Sequence, residues 1–251
     1  IATPHLGAST IEAQESVAVD VSNDILSYFK VGTVQNPVNM PSVPKDVVAK
    51  VEPFFELGEK IGAFVTNLSD EAINEINIYY SGDVANYDVR PLTNNTVKGV
   101  LTRHLGNHVN NVNARYLADR NGIKINEQKS TQARAFLSSI TVEIVTENDK
   151  HSVKGTLLNG LGARIVQVDQ YVVDVVPEGN LLFIKHTDKP GVIGRVGTSL
   201  AEQNVNIATM QVGRADEGGD AIMMLAIDNT VESLDFVIAT EGVFDAKEIK
   251  L

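Results

Sequence analysis

The chain contains no cysteine. That excludes disulfides, thiolate metal sites and a cysteine nucleophile together. No apolar run approaches the roughly 20 residues that a membrane-spanning helix needs, and no signal-peptide pattern leads the chain. Positive charge is scarce: 21 Lys and Arg stand against 32 Asp and Glu, a formal charge of -11, with no basic cluster of the kind that reads a phosphate backbone. Nucleic acid and membrane are therefore not expected as partners, and the expected compartment is cytoplasmic. No Gly-x-Gly-x-x-Gly follows a strand, so no dinucleotide-binding fold is expected within these residues. Histidines stand at 5, 104, 108, 151 and 186. His104 and His108 share an i,i+4 spacing but have no intervening glutamate and no nearby third ligand, which favours two helix histidines over a metal site.

What is present is a soluble globular composition, 43% apolar and 21% charged over 251 residues, enough for two or three compact units. Ser9-x-x-Glu12 has the form of a capping box, and Val17, Val21, Ile25 and Phe29 repeat every four residues behind it, predicting a helix over 9–31. Pro37, Pro41 and Pro44 mark an extended linker. A second helical pattern runs from about Lys45 to Leu68, and Pro53 should kink or split it near Glu52. Alternation at Ile76, Ile78 and Tyr80 predicts a strand, and short helices are expected over 94–105 and 112–121. Period-two patterning returns at Ile140, Val142 and Ile144, then at Val153 with Leu157, and in short strands on either side of Asp169-Gln170.

Beyond Pro177-Glu178-Gly179 the order is strand, helix, strand, strand, helix, strand. The strands are Leu181 to His186, Ile207 to Val212, Ala221 to Ile227 and Val243 to Ile249. One helix carries Ile193, Val196 and Leu200, with Pro190 expected at its first turn behind a cap at Asp188; the other spans Leu234 to Thr240. This is the ferredoxin-like order. The expected class is α+β in three parts: a helical stub with linker (1–40), an α+β intervening domain (41–179) and a ferredoxin-like domain (180–251).

The segments His186-Thr187-Asp188-Lys189-Pro190-Gly191-Val192-Ile193-Gly194 and Asn204-Val205-Asn206-Ile207 resemble an ACT domain, a regulatory module that binds amino acids. Free amides at a helix start, with Gly191 and Gly194 allowing close approach, suit a carboxylate. Asp188 can pair with an ammonium, and Asn206 can both give and accept hydrogen bonds. The plainer reading makes Asp188 a helix cap and Asn206 a turn residue.

Over nearly its whole length the chain is similar to the C-terminal part of the long-type bacterial D-3-phosphoglycerate dehydrogenase family. Three signatures carry the resemblance. Thr3-Pro4-His5-Leu6-Gly7-Ala8-Ser9-Thr10, followed by Glu12-Ala13-Gln14, looks like the loop of the family's catalytic histidine. Gly155-Thr156-Leu157 and Arg164-Ile165-Val166-Gln167-Val168-Asp169 look like its intervening domain, and the ACT segment follows directly. Gln170 departs from the turn glycine of many relatives.

The resemblance implies a parent enzyme that oxidises 3-phosphoglycerate to 3-phosphohydroxypyruvate with NAD, on the route to serine. His5 would then be the general acid/base, with Gly7 and Ala8 near the nicotinamide. His186, Asp188 and Asn206 would bind L-serine or a similar small amino acid at a site formed between ACT domains of two subunits, which implies self-association through the ACT and intervening domains. Arg164 matches a position associated with anion binding; the alternative is an exposed strand arginine. Without a cofactor-binding fold, these residues alone are expected to lack dehydrogenase activity. The competing class is a freestanding amino-acid sensor or scaffold, which would have no use for the Thr-Pro-His loop. A serine dehydratase regulatory region shares the domain pairing but leaves His5 unexplained.

Overall fold

The computed structural model describes residue 4 and residues 7–31, 38–39, 43–133 and 135–251. They fall into two compact units, one up to residue 42 and one from residue 43 onward. In the first unit, helix α1 spans Ile11–Val31. Its cap is Thr10, not Ser9: the Ala13 amide donates to Thr10 Oγ1 at 3.2 Å. The cap therefore falls one residue later than the Ser9-x-x-Glu12 pattern suggests, because the helix begins at Ile11. The stripe of Val17, Val21, Ile25 and Phe29 forms as expected and is exposed in this unit. Most of the Pro-rich linker, including Pro37 and Pro41, lies outside the described residues.

In the second unit, α2 (Lys45–Val51) meets a 3₁₀ turn (Glu52–Phe54) and then α3 (Phe55–Thr66), so Pro53 splits the helical run as its sequence position requires. Leu57, Ile61, Phe64 and Val65 give α3 a fully buried face. Strand β1 (Glu75–Gly82) leads to α4 (Arg90–Leu105) and α5 (Ala114–Arg120), followed by β2 (Lys124–Ser130). Strands β3 (Ser138–Val145), β4 (Lys150–Leu158), β5 (Gly162–Val168) and β6 (Tyr171–Val175) complete a six-stranded sheet in the order β2-β1-β3-β4-β5-β6. β2 pairs parallel to β1, and the other pairings are antiparallel.

Helix α4 begins at Arg90, earlier than the apolar pattern shows, because its first turns bury polar side chains. Thr93 meets the Tyr80 hydroxyl at 2.8 Å, Asn95 Nδ2 donates to the Phe55 carbonyl at 2.6 Å, and Thr96 Oγ1 donates back to the Leu92 carbonyl at 2.9 Å. Satisfied in this way, they add no periodicity that a hydrophobic reading detects. Strand β2 was also invisible in the sequence: Lys-Ile-Asn-Glu-Gln-Lys-Ser is an exposed edge strand with a single apolar residue. At the β5–β6 turn, beside the unusual Gln170, Asp169 takes the left-handed conformation (φ 50). It is held there by its own contacts to Ser152 and His151, with Asp169 Oδ1 accepting from the Ser152 amide at 2.8 Å and Oδ2 lying 3.0 Å from His151 Nδ1.

Strands β7 (Asn180–Thr187), β8 (Ile207–Arg214), β9 (Asp220–Ile227) and β10 (Val243–Lys250), with α6 (Val192–Glu202) and a single-turn α7 (Asp235–Ile238), form the expected βαββαβ unit. Its sheet order is β10-β7-β9-β8. Alternation divides β7 and β9 between two cores. Leu182, Ile184, Met223 and Leu225 pack with Val192, Val196 and Leu200 of α6. Leu181, Phe183, Ile222 and Met224 face the other way, into a core that includes Tyr171, Val173 and Val175 of β6. The open face of the smaller sheet is thus closed by the larger one, and Gly213 of β8 approaches so near that a Cβ there would sit 2.9 Å from the Val172 carbonyl oxygen.

Candidate functional site

The site is built where β7 turns into α6. The Thr187 amide bonds the Gly242 carbonyl and the Asp188 amide bonds the Gly219 carbonyl, both at 2.8 Å. The loop is therefore pinned between the turns that precede β10 and β9. Gly191 is the helix cap, at φ 92, a conformation that L side chains rarely adopt. This corrects two expectations: Pro190 precedes the helix instead of occupying its first position, and Asp188 does not cap it. With Gly191 left-handed, the chain enters α6 too late for the Asp188 side chain to reach the helix amides.

His186 is 1% exposed. Its Nδ1 lies 2.8 Å from the Thr187 carbonyl oxygen, which can only accept, so Nδ1 carries a proton and, in the neutral ring, Nε2 is an acceptor. That Nε2 is buried and has no hydrogen-bond partner among the described residues. An unsatisfied buried acceptor costs on the order of 1–3 kcal/mol, so its persistence calls for an explanation. Next to it, Asp188 Oδ2 accepts from Arg214 Nη1 at 3.1 Å and from the Gly218 amide at 3.2 Å. The Gly218 amide first, and then Arg214, hold this carboxyl below its ordinary range. On the α6 side, Arg195 donates from Nε and Nη2 to the Glu241 carbonyl at 3.2 and 3.1 Å.

Asn206 lies elsewhere. Its Nδ2 donates to Asp228 Oδ2 at 2.7 Å. Register sets Thr187 opposite Asp220, Arg214 opposite Ala221 and Ile207 opposite Ile227. Asp188 and Arg214 therefore share one end of the sheet, and Asn206 occupies the other, roughly 25 Å away along an eight-residue strand. Within one chain the structure brings His186 and Asp188 together and leaves Asn206 apart.

Of the remaining expected site residues, His5 lies outside the described residues. Gly7 and Ala8 form an exposed turn before α1, where the Ala8 carbonyl accepts from Gln14 Nε2 at 3.1 Å. Arg164 is occupied within its own hairpin: Nη1 donates to the Leu161 and Ala163 carbonyls at 2.7 and 2.9 Å, and Nε lies 3.3 Å from Asp174 Oδ1. A cleft of about 350 Å³ lined by Arg115, Asp119, Gly122, Ile123, Lys124 and Ile125 holds none of the expected residues, and its two cations are paired to Glu127 and Glu75. Among the described residues no three His, Asp or Glu side chains could hold a metal, and no helix is long and apolar enough to cross a membrane. Sequence reasoning missed Arg214. The available signal was topological: in a βαββαβ sheet the β8–β9 turn lies beside the end of β7.

These features define a class: a ferredoxin-like regulatory module, with a buried His and an ionised Asp at its first loop, joined to an α+β domain. Residues 180–235 match the ACT domain family, and residues 50–169 match the D-3-phosphoglycerate dehydrogenase intervening domain. More particularly, the chain is similar to the C-terminal part of D-3-phosphoglycerate dehydrogenases. It is 39% identical over 232 residues to that of Bacillus subtilis, covering 92% of this chain and 44% of that protein. It is 38% identical over 254 residues to that of Synechocystis, covering 100% of this chain and 46% of that protein. With the Methanocaldococcus jannaschii protein the identity is 36% over 231 residues, covering 92% and 44%. The chain thus spans a little under half the length of these curated relatives.

Proposed function

We propose that this chain is the regulatory C-terminal part of an NAD-dependent D-3-phosphoglycerate dehydrogenase, that its ACT domain binds L-serine or a similar small amino acid as a feedback effector, and that it self-associates. The observation that carries the reading is the unpartnered, buried Nε2 of His186 beside the ionised Asp188. A small ligand with a donor group would satisfy the first, and its ammonium would pair with the second.

The placement of Asn206 supports the self-association reading. Strand β8 lies at the edge of its sheet. Two β8 strands paired antiparallel over their length would set Ile207 opposite Arg214 of the second copy. Asn206 of one chain would then reach the Asp188 end of the other. In the parent enzyme His5 would act as general acid/base, with Gly7 and Ala8 near the nicotinamide. Arg164 is proposed only as a secondary anion contact, since its present partners would first have to yield.

The described residues offer no Gly-x-Gly-x-x-Gly after a strand for NAD, so no hydride step is assigned to them. The reading is tested by calorimetric titration of the chain with L-serine, glycine and 3-phosphoglycerate, alongside an assay for NAD reduction. Saturable heat with serine and no NAD reduction are expected. Flat traces for all three ligands would remove the effector reading, and turnover of 3-phosphoglycerate by this chain alone would overturn the division of labour. A freestanding sensor would also bind the amino acid. The two are separated by whether serine changes phosphoglycerate oxidation when the chain is part of the full-length protein.

A further inference from the structure

The Asp188–Arg214 contact has a chemistry that the ACT resemblance does not supply. One of the guanidinium's nitrogens, Nη1, is bonded to Asp188 Oδ2. Nε and Nη2 bond to none of the described residues, and they form the edge on which an arginine takes a carboxylate through two parallel hydrogen bonds. Asp188 mirrors this: Oδ2 accepts from Arg214 and the Gly218 amide, and Oδ1 accepts from none of the described residues. The Arg214 side chain is 57% exposed and that of Asp188 26%, so a ligand can approach the pair from solvent.

We propose that Asp188 and Arg214 together form a clamp for the zwitterionic head group of an α-amino acid, with Asp188 Oδ1 taking the ammonium and the Nε–Nη2 edge of Arg214 taking the carboxylate. The proposal rests on the amino-acid reading above and adds a residue and a selection rule. A zwitterion adds no net charge to an ion pair that is already neutral. A free amine would meet the guanidinium without compensation, and a simple carboxylic acid would meet the aspartate. The clamp therefore discriminates against singly charged relatives of its ligand. The turn beside it is open, because a Cβ added at Gly218 would have no atom within 4 Å. The β8–β9 turn is positioned by the bond from the Gly218 amide to Asp188, so both halves of the clamp are set by one hairpin. The buried His186 Nε2 lies at the same loop and remains available for a donor on the ligand's side chain.

The test is titration of the chain and of its Arg214→Ala, Arg214→Gln and Arg214→Lys variants with L-serine, ethanolamine (no carboxylate) and glycolate (no ammonium). In the unaltered chain serine is expected to bind about 10- to 100-fold more tightly than ethanolamine, the range set by a charge-assisted hydrogen-bonded contact. In Arg214→Ala and Arg214→Gln, serine should fall to the level of ethanolamine, while Arg214→Lys recovers part of the preference. A structural role for Arg214 would weaken both ligands alike and leave their ratio unchanged. An unchanged ratio in Arg214→Gln, with serine still bound, overturns the clamp and leaves the effector reading standing. Flat traces for the unaltered chain remove both.

Discussion

Replacing Phe183 by Ala tests whether the two sheets share one cooperative core. Phe183 is 1% exposed and points from β7 into the core shared with Tyr171, Val173 and Val175 of β6. Truncating a fully buried Phe costs about 3–5 kcal/mol through lost transfer energy and the cavity left behind. Against a typical total of about 5–15 kcal/mol, that is a large fraction. At about 2–4 °C per kcal/mol for a unit of this size, the melting temperature should fall by roughly 6–20 °C. Leu225→Ala is the control, since Leu225 is equally buried on the opposite face of the same sheet, against α6; about 2–5 kcal/mol is expected there. Native-state amide exchange separates the two. Phe183→Ala should lower protection in β6 and β7 together, whereas Leu225→Ala should lower it in β7, β9 and α6 and spare β6. If Phe183→Ala leaves β6 protection unchanged, the two sheets do not share one cooperative core.

Two further outcomes are expected. A Cβ at Gly99 would lie 2.1 Å from the Glu59 carbonyl oxygen, and one at Gly62 would lie 2.5 Å from that of Thr96, so α3 and α4 touch backbone to backbone. Gly99→Ala must force them apart at a cost of about 1–3 kcal/mol or more, read as a lower urea midpoint; an unchanged midpoint would refute the close crossing. Asp70 accepts from Lys247 Nζ of β10 at 2.6 Å and from Arg103 Nη2 of α4 at 2.8 Å, and these two, Lys247 first, hold its carboxyl below the ordinary 3.8. The folded value is the lower one, so this contribution is complete above the ordinary range and fades as the pH falls through the folded value. Being exposed, it is worth at most about 1 kcal/mol. Asp70→Asn should therefore lower stability slightly at neutral pH and converge with the unaltered chain in acid; a constant difference down to low pH would contradict the assignment.

Legibility followed the physical signal that each element carries. The ferredoxin-like domain was readable because β7, β9 and α6 bury apolar faces, and burial writes a period into the sequence. The Pro53 break was readable because a missing amide donor acts locally whatever surrounds it. Helix α4 was read short and β2 not at all. The first satisfies its buried Thr and Asn side chains through partners such as Phe55 and Tyr80, distant in sequence, and the second is an edge strand with little to bury. The α1 cap was displaced by one residue because Ser9, Thr10 and Glu12 permit either frame.

For the site, the sequence by itself determined which chemical groups were available: a histidine, an aspartate and glycines at a strand-to-helix loop, within a family-level pattern strong enough to place both domains. Tertiary structure alone decided which of them meet. Strand register carried Asn206 to the far end of the sheet and brought Arg214, 26 residues beyond Asp188, into contact with it. It also left one nitrogen of His186 buried without a partner among the described residues. The reason is geometric: neighbours along the chain are set by covalent order, but neighbours across a sheet are set by strand order and register, which no local spacing encodes.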